Sequence, residues 1–252
     1  MRIVITGAAG FIGSHLLRRL QSLGHADLVA LTRDSNSADF DAAMATADFV
    51  YHLAGVNRPK DPAEFDVGNT GLTQALLARL LAAGRGARVA LSSSTQAAAD
   101  NPYGRSKLGA EGSLLRYGRD SGAPVYLFRL TNVFGPGARP FYNSAVATFC
   151  HQAANGQKPT LHDPAAPLRL VYVDDVIDSL VAVLDRAHAS AGPVDVSPVY
   201  QTTVGDVAQM AQDFAQAHRE GLQPDADGGL RLALHETLRP HLQAARAAGP
   251  AS

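Results

Sequence analysis

The first fifteen residues, MRIVITGAAGFIGSH, constrain this chain more than any other stretch. Residues 2–6 are a β-branched run that predicts a short buried strand, and Gly7, Gly10 and Gly13 punctuate the passage from it into a helix. The G-x-x-G-x-x-G spacing is a variant of the dinucleotide-binding fingerprint. One glycine makes the tight turn, one lets backbone approach a pyrophosphate, and one lets helix pack on strand. The helix start at Phe11 and Ile12 then presents free N–H groups and a positive dipole end to phosphates. An ordinary strand-to-helix turn accounts for the glycines alone, but not for the strand before them and the apolar-faced helix behind. The opening therefore predicts an α/β, doubly wound parallel sheet of Rossmann type.

The helix carries Ile12, Leu16, Leu20 and Leu23 along one side, with Gly24 as its C-cap, and residues 26–31 form the second strand. At the tip of that strand an arginine accommodates a 2′-phosphate, whereas an acidic residue accepts from a free 2′-OH. Arg33 stands there and favours NADP(H); Asp34, one place on, keeps NAD(H) possible. The link to the next strand, residues 49–54, holds one helix at 39–47 and is too short for a further strand with its own crossover. That strand ends in Leu53, Ala54 and Gly55, where backbone must pass close to the cofactor. Residues 69–83 read as a helix with leucines on more than one side, which predicts packing on the sheet and on a partner subunit.

Residues 88–91 form a buried strand that delivers Ser92, Ser93 and Ser94 at its carboxyl end, where open parallel sheets place their ligands. Tyr103 and Lys107 follow, four apart and so on one face of the helix that begins there. A free tyrosine titrates near ~10 and is a poor acid-base group at neutrality; an adjacent ammonium is expected to stabilise its phenolate. A serine hydroxyl alongside hydrogen-bonds the same substrate oxygen. Such a trio suits proton transfer at a carbinol oxygen while hydride moves to or from a nicotinamide. Tyr-Lys pairs at this spacing are common by chance, so their place after a serine-tipped strand gives them weight.

TGAAGFIGSH, HLAG, SSS followed by PYGRSK, RLTNVFGP and YVDDV together resemble the extended short-chain dehydrogenase/reductase family of nucleotide-sugar enzymes, in the same order over nearly the whole chain. The resemblance implies Tyr103 and Lys107 as the catalytic pair and Ser94 as the catalytic Ser/Thr, with Lys107 also on the nicotinamide ribose. It implies that Asn132, in a turn at 132–136, touches substrate and cofactor, and that Tyr142, Asn143 and Ser144 open a helix beside the nucleotide sugar. The expected division is a dinucleotide-binding core at 1–135, completed by about 168–200, and a small C-terminal substrate-binding lobe from 136–167 and 201–252. Within these parts, strands are expected at 125–130, 168–173 and 194–197, a helix at 203–217, and a tail from 230, helical at first and frayed at its end.

Three departures narrow the reaction. Leu168 stands where relatives carry a diphosphate-binding arginine, and Arg169 lies one place further. The serine-to-tyrosine interval is short, and Thr95 and Gln96 replace the Asp-Glu pair a dehydratase needs. HLAGVNRP, LSSSTQAAADNPYGRSK and YNSAVATFCHQ resemble the reductase half of bifunctional capsular-polysaccharide enzymes that make the UDP-N-acetyl-L-fucosamine precursor. Those enzymes continue into a cupin epimerase domain, so either this chain is a truncation or a separate cupin-type epimerase is expected as a partner. Reduction of a nucleotide-linked 4-keto-6-deoxy sugar is the expected reaction. An NAD-dependent nucleotide-sugar epimerase is the alternative, and a non-catalytic NADP(H)-binding sensor the second.

Composition excludes other classes. A formal net charge of -1 gives no footing for nucleic acid or anionic lipid. Cys150 is the only cysteine, which excludes an intrachain disulfide and suggests the cytoplasm; its thiol is expected to pack as a small hydrophobe. The apolar start breaks at Gly7 and reads as a strand, not a signal peptide, and no stretch is long enough to span a bilayer. The histidines show no metal-ligand spacing, so no metal is expected. A homodimer is expected through the helices at 69–83 and 103–117.

Overall fold

The computed structural model describes residues 1–186 and 192–248. The chain divides into two units, Met1–Thr131 with Ile177–Val196, and Asn132–Val176 with Ser197–Ser252.

The first unit runs β1 (Ile3–Thr6), α1 (Phe11–Ser22), β2 (Leu28–Leu31), α2 (Ser37–Thr46), β3 (Phe49–His52), α3 (Leu72–Ala83), β4 (Arg88–Ser94), α4 (Pro102–Ser121) and β5 (Val125–Leu130). Its five strands are parallel in the order β2-β1-β3-β4-β5, the doubly wound Rossmann-type sheet. Every residue of β1 and β3 is buried, as expected for inner strands covered on both faces. One face packs Val4, Val50, Val89 and Leu127 with Leu76, Leu80, Leu114 and Tyr117 from the helices. The sheet stops at β2 because α2, started by a capping box between Asn36 and Asp39, leads straight to β3. A cavity of about 330 Å³, lined by Val29, Ser35, Asp39 and Thr46, lies along that edge.

Three side chains of this sheet bond to the returning segment. Tyr51 Oη donates to the Leu180 carbonyl at 2.8 Å, Arg88 to that of Leu184 at 2.8 Å, and Tyr126 Oη to that of Arg186 at 2.7 Å. The strand expected at 194–197 is not there. Only an isolated bridge joins Leu127 and Pro193, and prolines at 193 and 198, lacking N–H groups, flank the stretch. Nor does the helix expected at 69–83 begin as an α-helix: a wider π turn, Asp66–Gly71, precedes α3.

The second unit holds β6 (Asn132–Phe134), α5 (Ala145–Ala154), β7 (Pro167–Tyr172), the start of α6 (Val173–Ala182), β8 (Tyr200–Thr203), α7 (Val204–Arg219) and α8 (Gly229–Ala248). β7 pairs in parallel with β6 and antiparallel with β8. Phe134, Phe149, Cys150, Leu170, Phe214, Leu234 and Leu238 build its core. Burial pushes the Cys150 thiol up to about 12, so it packs as an inert apolar group. β6 was expected as a turn and β8 not at all; both are short strands that exist only by pairing with β7. β7 itself, assigned above to the dinucleotide-binding core, belongs to the second unit. The frayed end expected of the tail lies outside the described residues. No helix among the described residues is long and apolar enough to cross a membrane.

Candidate active site

The glycine turn is forced by backbone crowding. Gly7 has φ +70°, and a Cβ there would lie 2.7 Å from the Ala54 nitrogen, so the turn abuts the end of β3. At Gly13 a Cβ would meet the Gly7 carbonyl oxygen at 2.2 Å, which fixes how α1 leaves the turn. Gly10 is the N-cap of α1 and offers no side-chain acceptor. The first-turn N–H groups at Phe11 and Ile12 therefore have no side-chain cap, and Ala9 and Gly10 are exposed beside them. These residues fit a dinucleotide pyrophosphate, which needs open amides at a helix N-terminus.

Leu53 and Ala54 are half-buried and Gly55 is exposed. A Cβ on Gly55 would stand 2.7 Å from Asn69 Oδ1 and 3.2 Å from Lys107 Nζ, so this turn reaches the lysine of α4. At the tip of β2, Arg33 and Asp34 are both exposed, and Arg33 forms no ion pair among the described residues. The Ser35 hydroxyl accepts from the Thr32 N–H at 3.0 Å and shapes that tip.

β4 extends further than expected. Ser92, Ser93 and Ser94 are strand residues paired with Phe128, Arg129 and Leu130 of β5. Ser94 Oγ accepts from the Gln96 N–H at 3.1 Å and starts a 3₁₀ turn, Thr95–Ala98. Asn101 caps α4, its Oδ1 accepting from Gly104 N–H at 2.8 Å, and Pro102 occupies the first turn. A side chain at Gly104 would meet the Ala99 carbonyl oxygen at 2.2 Å, so only glycine lets α4 start against that turn. The Tyr103 phenol is thereby brought beside Ser94. Lys107 Nζ donates to the Ser92 carbonyl at 3.3 Å and lies 5.8 Å from the centre of the Tyr103 ring. Phe65 covers the ring at 5.4 Å between centres.

Burial raises the Tyr103 phenol above its ordinary range, with the Ser94 hydrogen bond opposing. Burial also lowers Lys107 to about 8, and Glu111 opposes that shift. The expected pull of Lys107 on the phenol is absent: desolvation dominates, and the ammonium donates to the Ser92 carbonyl. A phenol in this environment keeps its proton at neutrality.

Around this trio stand further polar groups to which the motifs gave no role, His52 and Ser106 lying within HLAG and PYGRSK themselves. Buried Glu111 accepts from Ser93 Oγ at 2.6 Å and from Arg129 Nε and Nη2 at 2.9 and 2.6 Å. Its place four residues after Lys107, on the same helix face, was the available signal. Asn69 accepts from Val56 N–H at 2.9 Å and donates to the Val56 carbonyl at 2.9 Å. His52, Thr73 and Ser106 are buried beside it.

The remaining expected residues lie in the second unit. Asn132 is exposed on β6 and donates to the Arg169 carbonyl at 3.0 Å. Leu168 packs against the core of that unit, and Arg169, the next residue along β7, is exposed. Tyr142 lies under the Arg139 guanidinium at 5.6 Å, Asn143 is exposed, and Ser144 caps α5 by accepting from Ala147 N–H at 3.2 Å. Among the described residues no group of three or more His, Cys, Asp or Glu is placed to hold a metal ion.

Known proteins resemble the chain in sequence and fold. The chain is 40% identical over 237 residues to the UDP-2-acetamido-2,6-beta-L-arabino-hexul-4-ose reductase of Pseudomonas aeruginosa, covering 94% of this chain and 64% of that protein. The capsular polysaccharide assembling protein CapF from Staphylococcus aureus matches with a TM-score of 0.87 at 35% identity, covering 96% of this chain and 66% of that one. The chain thus spans slightly less than two thirds of either relative. The UDP-glucose 4-epimerase of Thermotoga maritima shares the fold, with a TM-score of 0.79 at 20% identity over 97% of this chain and 99% of that one. The model of the NAD dependent epimerase/dehydratase family matches residues 3–197. Since that match runs from the first strand to the end of the segment returning to the first sheet, it takes in the glycine turn and the Tyr-Lys helix alike, and the chain belongs to the NAD dependent epimerase/dehydratase family.

Proposed function

We propose that this protein is an NADPH-dependent reductase acting on the C4 carbonyl of a nucleotide-linked 4-keto-6-deoxy sugar, in the synthesis of surface polysaccharide precursors. The geometry around Tyr103 carries this reading: the phenol, protonated at neutrality, lies beside Ser94 with Lys107 one helical turn on, and reduction of a ketone to an alcohol needs a proton donor at the carbonyl oxygen. NADPH, when bound, supplies the hydride. Tyr103 gives its proton to the carbonyl oxygen, and Ser94 donates a hydrogen bond to the same atom. Lys107, largely protonated below about pH 8, stabilises the tyrosinate left behind and holds the nicotinamide ribose.

Gly7, Gly10, Phe11, Ile12 and Gly13 hold the pyrophosphate, and Leu53, Ala54 and Gly55 line the rest of the cofactor. Arg33 takes the 2′-phosphate, with Asp34 leaving NAD(H) usable. Asn132, Tyr142, Asn143 and Ser144 contact the nucleotide sugar. Likeness to the Pseudomonas reductase supports the substrate class, and Thr95 and Gln96 speak against dehydration.

Stopped-flow mixing of protein and NADPH with UDP-linked 4-keto-6-deoxy sugars is expected to show stoichiometric NADPH oxidation. No oxidation with several such sugars, from protein shown to bind NADPH, would overturn the proposal. Arg33→Ala should remove most of the preference for NADPH over NADH, since each charge-assisted bond to phosphate contributes roughly 1.5 to 3 kcal/mol. Equal affinity in the unmutated protein would assign the pocket to Asp34.

The protein pairs with a second copy through α3 and α4. Leu81, Leu108 and Leu115 are 42%, 52% and 47% exposed, and Gly112, between the last two on α4, has open space where a Cβ would stand. A mid-helix glycine costs roughly 1 kcal/mol against alanine, and close approach of another backbone accounts for keeping one there. Light scattering should return the mass of two copies at micromolar concentration; a monomer mass would refute the pairing. A cupin-type epimerase, either a continuation of this chain or a separate partner, and a cytoplasmic location complete the reading, supported by the resemblance to bifunctional enzymes and by the free thiol of Cys150.

A further inference from the structure

We infer that His52 is a positioning residue for this site: its neutral imidazole ties the turn after β3 to the helix that carries Tyr103, through a chain of hydrogen bonds with a single direction. The inference rests on the reading of Tyr103 as the proton donor and goes beyond it.

His52 ends β3 and is 1% exposed. Its Nδ1 lies 2.8 Å from Thr6 Oγ1 and its Nε2 3.0 Å from Thr73 Oγ1. The Thr73 hydroxyl donates its one proton to the Asn69 carbonyl at 2.8 Å, so toward His52 it accepts. Nε2 therefore carries the ring hydrogen, and Nδ1 is the acceptor for Thr6. Thr6 Oγ1 in turn accepts from the Ala54 N–H at 3.2 Å. One end of the chain thus holds the turn of residues 54–56.

The other end reaches the Tyr103 helix. Asn69, whose carbonyl receives Thr73, clamps Val56 with its amide and donates through Nδ2 to Ser106 Oγ at 3.0 Å. Ser106 Oγ donates to the Tyr103 carbonyl at 2.8 Å. No link in this chain has a spare proton, so none can be reversed without breaking its neighbour. A charged imidazole would lose the acceptor that Thr6 uses and would set a second cation against Lys107. Full burial and the Lys107 charge keep the ring neutral, with its pKa lowered to about 3.

A histidine that merely filled space would influence melting temperature and leave cofactor and chemistry alone. The test uses the full chain with Thr73→Val, Thr73→Ser, His52→Phe and the double variant His52→Phe/Thr73→Val. Three quantities are read: melting temperature, the dissociation constant of whichever nicotinamide cofactor the unmutated protein binds, and the single-turnover rate at saturating cofactor and keto sugar. Thr73→Val should slow the single turnover about tenfold and weaken the cofactor several-fold at temperatures where it is fully folded. Thr73→Ser should restore both within about twofold. The double variant should be no slower than the slower single one, because both break the same chain.

Unchanged rate and affinity in folded Thr73→Val, equal damage in Thr73→Ser, or losses that multiply in the double variant would overturn the inference. If His52→Phe does not fold, the Val and Ser variants decide alone. If the unmutated protein reduces no keto sugar, the proposed function fails, and the cofactor dissociation constants still read out the chain.

Discussion

The two units bury different things. The first buries Thr6, His52, Asn69, Thr73, Ser93, Ser94, Ser106, Lys107 and Glu111; in the second, among the described residues, only Thr237 is a buried polar residue. Thr237 donates to the Ala233 carbonyl of its own helix at 2.7 Å, whereas the polar groups of the first unit bond across elements. Each buried polar group costs free energy unless it finds a partner, and among the described residues no buried side-chain nitrogen or oxygen lacks one. The second unit is held by its aromatic and aliphatic core, and where α7 and α8 meet through His218 and His235, 2.8 Å apart, the contact is only half-buried. Where polar groups are buried together and matched in direction, they are arranged for chemistry; where the interior is apolar, it supplies stability.

That contrast makes opposite predictions for substitutions in the two places. Tyr103→Phe keeps the ring against Phe65 and removes only the transferable proton. It should slow the chemical step on the order of 10²- to 10⁴-fold with cofactor binding and melting temperature retained, and normal turnover would end the proposed mechanism. Phe214→Ala, in the core of the second unit, should show the reverse: a loss of about 3 to 5 kcal/mol in urea unfolding, with cofactor affinity of the folded protein unchanged. A core variant of the second unit that lost cofactor affinity without losing stability would break the distinction between the units.

Acid should expose the burden of the polar interior. His52 titrates near 3 when folded, against an ordinary 6.5, so between those values the unfolded chain takes up a proton that the folded one refuses. Its contribution is fully present above pH 6.5 and is lost as pH falls toward 3, at up to about 1.4 kcal/mol per pH unit. Burial lowers His218, His235 and His241 in the same direction, to a smaller extent. Unfolding free energies measured across this range should therefore fall with a steeper slope in the unmutated protein than in His52→Phe. Equal slopes would place the acid sensitivity elsewhere.

What could be read in advance was what is local. Gly7, Gly10 and Gly13 lie within one turn, Tyr103 and Lys107 within one helix, and the missing third strand follows from the short link between β2 and β3. The failures share long separations. β6 and β8 are three and four residues long and take their form from β7, so no window of their own sequence marks them. The upward shift of the Tyr103 phenol depends on how deeply the helix is covered, which spacing does not report. Thr6 and His52 open the motifs TGAAGFIGSH and HLAG, but nothing in either motif reports that they meet each other or Thr73, since their bonds span 46 and 21 residues.

The return of the chain to its first sheet also sets a clock on synthesis. Tyr51, Arg88 and Tyr126 all bond to carbonyls in the segment Ile177–Val196, which is separated from the rest of the first unit by the whole stretch Asn132–Val176. At ~5–20 residues per second, the ribosome needs roughly 2 to 9 s to make that intervening stretch. During those seconds the two tyrosine hydroxyls lack the carbonyls they will bond, and the Arg88 guanidinium has only its contacts with Met1 and Phe49. The first unit is therefore complete only once the returning segment is made, and a chain arrested before residue 180 should leave the Tyr51 hydroxyl without its Leu180 acceptor.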